Sequence, residues 1–88
     1  MPPFETIWEL IIQHQGEIFH TITNIAFTYQ VAGNLFIRNG VQWNITRRDF
    51  EIVYNNLLQY AGPGDIPQRV NGRSYVWAVL NDPRILNH

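Results

Sequence analysis

The sequence predicts an α+β domain: an N-terminal helix, a four-stranded antiparallel meander, then one long and one short C-terminal helix packed on the sheet. Three observations predict it. Apolar residues recur at 3- and 4-residue spacing on either side of the centre of the chain. Between them, Ile18 to Ile45 is rich in β-branched and aromatic residues. That stretch is punctuated by Thr23-Asn24, Gly33-Asn34 and Asn39-Gly40, each a candidate two-residue turn.

The first helix is expected over 4–15, with Phe4, Ile7, Trp8 and Ile11 as one stripe, Pro2 and Pro3 at the entry and Gly16 at the exit. In the meander, each two-residue loop fixes which residues face each other. A loop at Asn39-Gly40 sets Arg38 opposite Val41 and Phe36 opposite Trp43. A loop at Gly33-Asn34 sets Val31 opposite Phe36 and Tyr29 opposite Arg38. A loop at Thr23-Asn24 sets Ile22 opposite Ile25, His20 opposite Phe27 and Ile18 opposite Tyr29. Directly opposed residues share a face. The inner face then carries Ile18, His20, Ile22, Ile25, Phe27, Tyr29, Val31, Phe36, Arg38, Val41, Trp43 and Ile45. The outer face carries Phe19, Thr21, Ala26, Thr28, Gln30, Leu35, Ile37, Gln42 and Asn44.

Thr46 is expected to cap the second helix, with Asp49 favouring its amide end and Phe50, Val53, Tyr54, Leu57 and Leu58 as its buried stripe. Ala61-Gly62-Pro63-Gly64 breaks it, and residues 61–73 read as a loop. Ser74 to Leu80 reads as a short helix capped by Ser74 and ended by Asp82-Pro83; a strand after an Asn71-Gly72 turn is the alternative.

Composition bounds the function. The 88 residues make one domain, with no cysteine for disulfide or thiolate chemistry. No apolar run approaches the ~20 residues that span a bilayer, and Met1 to Glu5 has no basic leader, so no membrane partner is expected and the location is expected to be cytoplasmic. The net charge of −1 argues against a general polyanion binder. The bases are all arginine, at 38, 47, 48, 69, 73 and 84, and all follow residue 37. Arginine makes planar, bidentate contacts that lysine cannot.

Catalytic constellations are missing from the sequence. His14, His20 and His88 have no metal-ligand spacing, Ser74 is the lone serine, and the acids are scattered singly. No enzyme activity, metal or cofactor is expected. Arg47 and Arg48 are the sharpest hint, because two bases open a helix where the macrodipole is positive. Cations belong there if a phosphate or carboxylate is to be held. Arg73 and Arg84, flanking the last apolar segment, extend that candidate anion or nucleic-acid site. Surface pairing of Arg47 and Arg48 with Asp49, Glu51 or Asp82 is the plainer reading, as is Arg84 fixing the C-terminus to an acid. A second hint is the outer face, where Phe19, Thr28, Gln30, Gln42 and Asn44 surround Leu35 and Ile37 like a polar rim round an apolar centre. Two functions follow as expectations. One is a non-enzymatic binding domain with an Arg-lined anion site, nucleic acid being a candidate ligand. The other is a self-associating or accessory protein-interaction domain that uses the outer face. Arg38, beside the turn, is expected to lay its stem on Tyr29 and send its head to solvent or an acid.

Overall fold

The computed structural model describes residues 1–40 and 43–86. Helix α1 spans Phe4–Gln13, entered through Pro3 in extended conformation and closed at His14. Its stripe of Phe4, Ile7, Trp8 and Ile11 is buried, as its spacing predicts. Two short strands follow, β1 (Phe19–His20) and β2 (Ala26–Phe27), paired antiparallel. Strands β3 (Tyr29–Ala32), β4 (Leu35–Arg38) and β5 (Ile45–Thr46) form a separate antiparallel sheet in the order β3-β4-β5. Helix α2 (Arg47–Asn55) leads into 3-10 turns at Leu57–Gln59 and Pro63–Asp65. Helix α3 (Arg73–Leu80) ends before Asp82-Pro83. The fold is therefore mixed α+β, with three helices and two small antiparallel sheets in place of one four-stranded meander.

Two of the three expected hairpins depart from the predicted register, and one keeps it. At Gly33-Asn34 the expected loop forms: Val31 faces Phe36, Tyr29 faces Arg38, and Gly33 adopts a positive φ of 58°. At Thr23-Asn24 the register slips by one residue, to Phe19 opposite Phe27 and His20 opposite Ala26. The Thr21 amide donates to the Ile25 carbonyl and the Thr21 hydroxyl accepts from the Ile25 amide, so the loop is Ile22-Thr23-Asn24, with Asn24 left-handed at φ 65°. A one-residue slip exchanges the two faces. Phe19 and Thr21 turn inward, while Ile18, His20, Ile22 and Ile25 lie exposed. This hairpin forms a sheet of its own, apart from β3-β4-β5.

At Asn39-Gly40 the loop is longer than two residues, and Phe36 faces Ile45 instead of Trp43. The shift is even, so Ile45 keeps its place on the core face and is fully buried. Trp43 is 68% exposed and does not belong to the core. The expected pairing of Arg38 with Val41, and the place of Gln42 on the outer face, lie outside the described residues.

Two helical details also differ. Thr46 does cap α2, its hydroxyl accepting from the Asp49 amide at 3.2 Å. However, the chain tightens into a 3-10 turn after Asn55, which rotates Leu58 outward while Leu57 stays buried. The residue opening α3 is Gly72, with φ 63°, and Ser74 makes no capping hydrogen bond. A Cβ on Gly72 would stand 2.7 Å from Ile45 Cδ1 and the residue holds a left-handed φ of 63°, so a side chain here would displace Ile45 and strain the backbone.

The core is an aromatic column. Tyr75 meets Phe27 edge-on, and Phe27 leads through Phe19 and Tyr29 to Phe36. Phe36 continues to Phe50, Trp8, Phe4 and Tyr54. Successive rings stand 4.3 to 6.2 Å apart, within the range of favourable aromatic pairs. Both hairpins and helices α1, α2 and α3 are joined through it.

Candidate anion-binding cleft

Strand β5 runs directly into α2, and the Arg47 amide donates to the Asn34 carbonyl at 2.8 Å. That bond draws the β3–β4 loop against the start of the helix. An open cleft of about 300 Å³ results, lined by Asn34, Leu35, Thr46, Arg47, Arg48 and Glu51. It contains both sequence hints: the two arginines of α2 and the apolar centre of the outer face, Leu35.

The two arginines are not equivalent. Arg47 is half-buried, its guanidinium 5.1 Å from the Phe4 ring centre and 6.0 Å from that of Trp8. Its Nη1 reaches Glu51 Oε1 at only 4.0 Å, the limit of an ion pair. Arg48 is exposed and makes no ion pair with the described residues. The helix amides contribute little, since Asn34 and the Thr46 hydroxyl take those of Arg47 and Asp49. An anion here would meet guanidinium groups and the Thr46 edge, with Leu35 offering apolar contact.

The other proposed arginines do not line this cleft. Arg73 donates through Nη1 to the Ile66 carbonyl at 3.1 Å, tying α3 to the preceding loop. Arg84 is fully engaged: Nε and Nη2 grip Asp82 at 2.9 Å each, Nη1 reaches Glu17 at 3.1 Å, and Nη2 also donates to the Ile18 carbonyl. Its guanidinium carbon lies 3.7 Å from the centre of the Phe19 ring. The Arg84 hydrogen bonds hold the Asp82 carboxyl below its ordinary range. Glu17 is also held low, first by its hydrogen bond with His14 and then by Arg84. This cluster fastens the C-terminal segment to the β1 entry.

On the outer face, Leu35 is 39% exposed, Gln30 and Asn44 are exposed, and Thr28 and Ile37 are half-buried. Phe19 is buried and cannot be part of an exposed surface. Arg38 departs from expectation more sharply. It is opposite Tyr29 but only 7% exposed, its head lies over Tyr75 and not over Tyr29, and no acid among the described residues pairs with it.

Arg38, Arg47 and Arg84 all lay a planar guanidinium over rings of the aromatic column. A lysine ammonium cannot stack in this way while forking to carboxylates or carbonyls.

Among the described residues no cluster of three or more His, Asp or Glu is arranged to hold a metal ion. No helix of the described residues is long and apolar enough to cross a membrane. The fold and the cleft define a small α+β domain with a basic surface hollow. No known protein family, curated protein or solved structure matches the chain.

Proposed function

We propose that this chain is a small non-enzymatic binding domain that takes an anionic group of a partner in the Arg47/Arg48 cleft. The observation that carries this reading is Arg48: exposed, without a carboxylate partner among the described residues, and beside Arg47 in a hollow with an apolar wall. An unpaired fork next to a concave surface suits a phosphate or carboxylate. Nucleic-acid phosphate is the first ligand to test, since it would meet two arginines and leave bases free to contact Leu35. Titration of the chain with mixed-sequence DNA and RNA at low salt tests it. Binding should weaken as salt rises and be lost in Arg48→Ala. No binding by wild type removes the nucleic-acid reading.

A second reading has its own observation. The outer face of β3 and β4 carries exposed Leu35 and half-buried Ile37 beside exposed Gln30 and Asn44. That arrangement supports a protein-interaction role, including association of two copies. Concentration-dependent sedimentation, abolished by Leu35→Glu and insensitive to salt, is the expected result.

A further inference from the structure

The chain contains two Asn-Gly pairs, Asn39-Gly40 and Asn71-Gly72, and no other asparagine precedes a glycine. Such a pair carries its own chemistry. The glycine backbone nitrogen can attack the side-chain carbonyl carbon of the asparagine, because no Cβ on the glycine shields it. The ring closes only if the peptide unit between the two residues can turn. The two pairs are equal in sequence and unequal in the fold.

Asn39 and Gly40 are both exposed, directly after β4. Gly40 holds a φ of 79°, and a Cβ built on it would meet nothing within 4 Å. Its amide donates no backbone hydrogen bond among the described residues. The Asn39 amide does, to the Thr28 carbonyl at 3.2 Å, so the chain is anchored just before the reacting unit while the unit itself is open. Asn71 is exposed too, but Gly72 is packed. A Cβ on Gly72 would meet Ile45 Cδ1 and would stand 3.2 Å from both Cζ and Nη1 of Arg38. The Gly72 carbonyl accepts from the Tyr75 and Val76 amides at 2.9 and 3.0 Å, the first bonds of α3. The Asn71-Gly72 unit therefore cannot turn without disturbing the start of that helix.

We propose that Asn39 is a site of spontaneous deamidation in the folded protein, and that α3 protects Asn71 from the same reaction. The Gly40 nitrogen loses its proton to solvent hydroxide and bonds to Asn39 Cγ. The Cγ–Nδ2 bond breaks, and ammonia leaves with the proton that solvent returns, closing a succinimide ring. Water then opens the ring at either carbonyl. Opening at Cγ leaves aspartate; opening at the main-chain carbonyl leaves isoaspartate, with the chain running through Cβ and Cγ. Both routes consume a water, release an ammonia and add a carboxylate. That charge arrives beside Arg38 in sequence, whose buried guanidinium pairs with no carboxylate of the described residues. In the isoaspartate product the connection from β4 to β5 is longer by a methylene, in the loop that Arg38 closes through the Trp43 carbonyl.

Peptide mapping by mass spectrometry of the whole chain, aged at mildly alkaline pH, tests the site. Arg47 and Arg69 lie between the two asparagines, so trypsin places them in separate peptides. In the native protein Asn39 should convert at least about tenfold faster than Asn71, the ratio that ~1.4 kcal/mol of opening free energy at the start of α3 produces. In guanidinium chloride the two should convert at similar rates, because both are then plain Asn-Gly pairs. Asn39→Gln should remove the native mass change and leave the conversion of Asn71 in denaturant. Native conversion of Asn71 as fast as that of Asn39 overturns the proposal. So does a rate ratio that persists unchanged in denaturant, since sequence and not the fold would then set it. An Asn39 that stays intact in the native protein overturns it as well.

Discussion

The Tyr29 hydroxyl donates a 2.6 Å hydrogen bond to the carbonyl of Ile11, in the last turn of α1. Tyr29 is fully buried and stacks on Phe36 with ring centres 4.3 Å apart. The bond satisfies a helix-end carbonyl that the helix cannot pair itself. Tyr29→Phe keeps the ring but strands that carbonyl, and should cost about 1–3 kcal/mol in urea unfolding. A loss below about 0.5 kcal/mol would mean that water reaches Ile11.

The same burial pushes the Tyr29 phenol well above its ordinary value. Its pKa is higher folded than unfolded, so its contribution is fully present below the unfolded value near 10 and is lost as pH rises beyond it. Ultraviolet titration should find Tyr29 silent until the chain unfolds in alkali, and Tyr29→Phe should remove one late-titrating tyrosine.

The acid limb has the opposite sign. Asp82 and Glu17 are both held low, so their stabilisation is present above the unfolded values near 4 and disappears as pH falls through the folded ones. The urea midpoint of wild type should fall between pH 5 and pH 2 more steeply than that of Asp82→Asn. Parallel slopes would show that the Arg84 clamp does not persist in solution.

Trp43→Ala should change stability by less than about 0.5 kcal/mol, because the side chain is 68% exposed and Arg38 holds only its carbonyl. Removing it should delete the most red-shifted component of the tryptophan emission. A loss of about 3 kcal/mol or more would restore the register that sets Trp43 opposite Phe36 in the core.

Arg47→Ala is expected to destabilise more than Arg48→Ala. Arg47 covers Phe4 and Trp8, whereas Arg48 is exposed and unpaired among the described residues. The expected difference is about 0.5–1 kcal/mol in chemical denaturation, from the lost stacking. Equal effects would mean that the Arg47 guanidinium does not rest on the rings.

Helices α1 and α2 were legible because their stripes and breakers agree, Phe4 to Ile11 in one and Phe50 to Tyr54 in the other; α3 was open between helix and strand, because Ser74 to Leu80 has no polar face to set a period. The β3–β4 hairpin was legible because Gly33 alone can take the first turn position cheaply. The β1–β2 hairpin was not. Ile18 and Phe19 are both apolar, so hydrophobicity could not choose which faces inward, and Asn24 in left-handed conformation adds a loop residue that composition does not announce. The Arg47/Arg48 pair could be read from its place before an apolar stripe. The meeting of Arg38 with Gly72 could not, because it depends on how α3 returns to β4 across the length of the second half.

The free side of β3 carries a consequence for crowded solutions. Gly16 donates to the Tyr29 carbonyl at 2.8 Å, and the Gln15 side chain accepts from the Val31 amide at 3.0 Å. These two residues occupy the backbone groups that an incoming strand would need. At the opposite border β5 is only Ile45–Thr46 before the chain coils into α2. Among the described residues neither border of the larger sheet offers a long template on which another chain could add a strand.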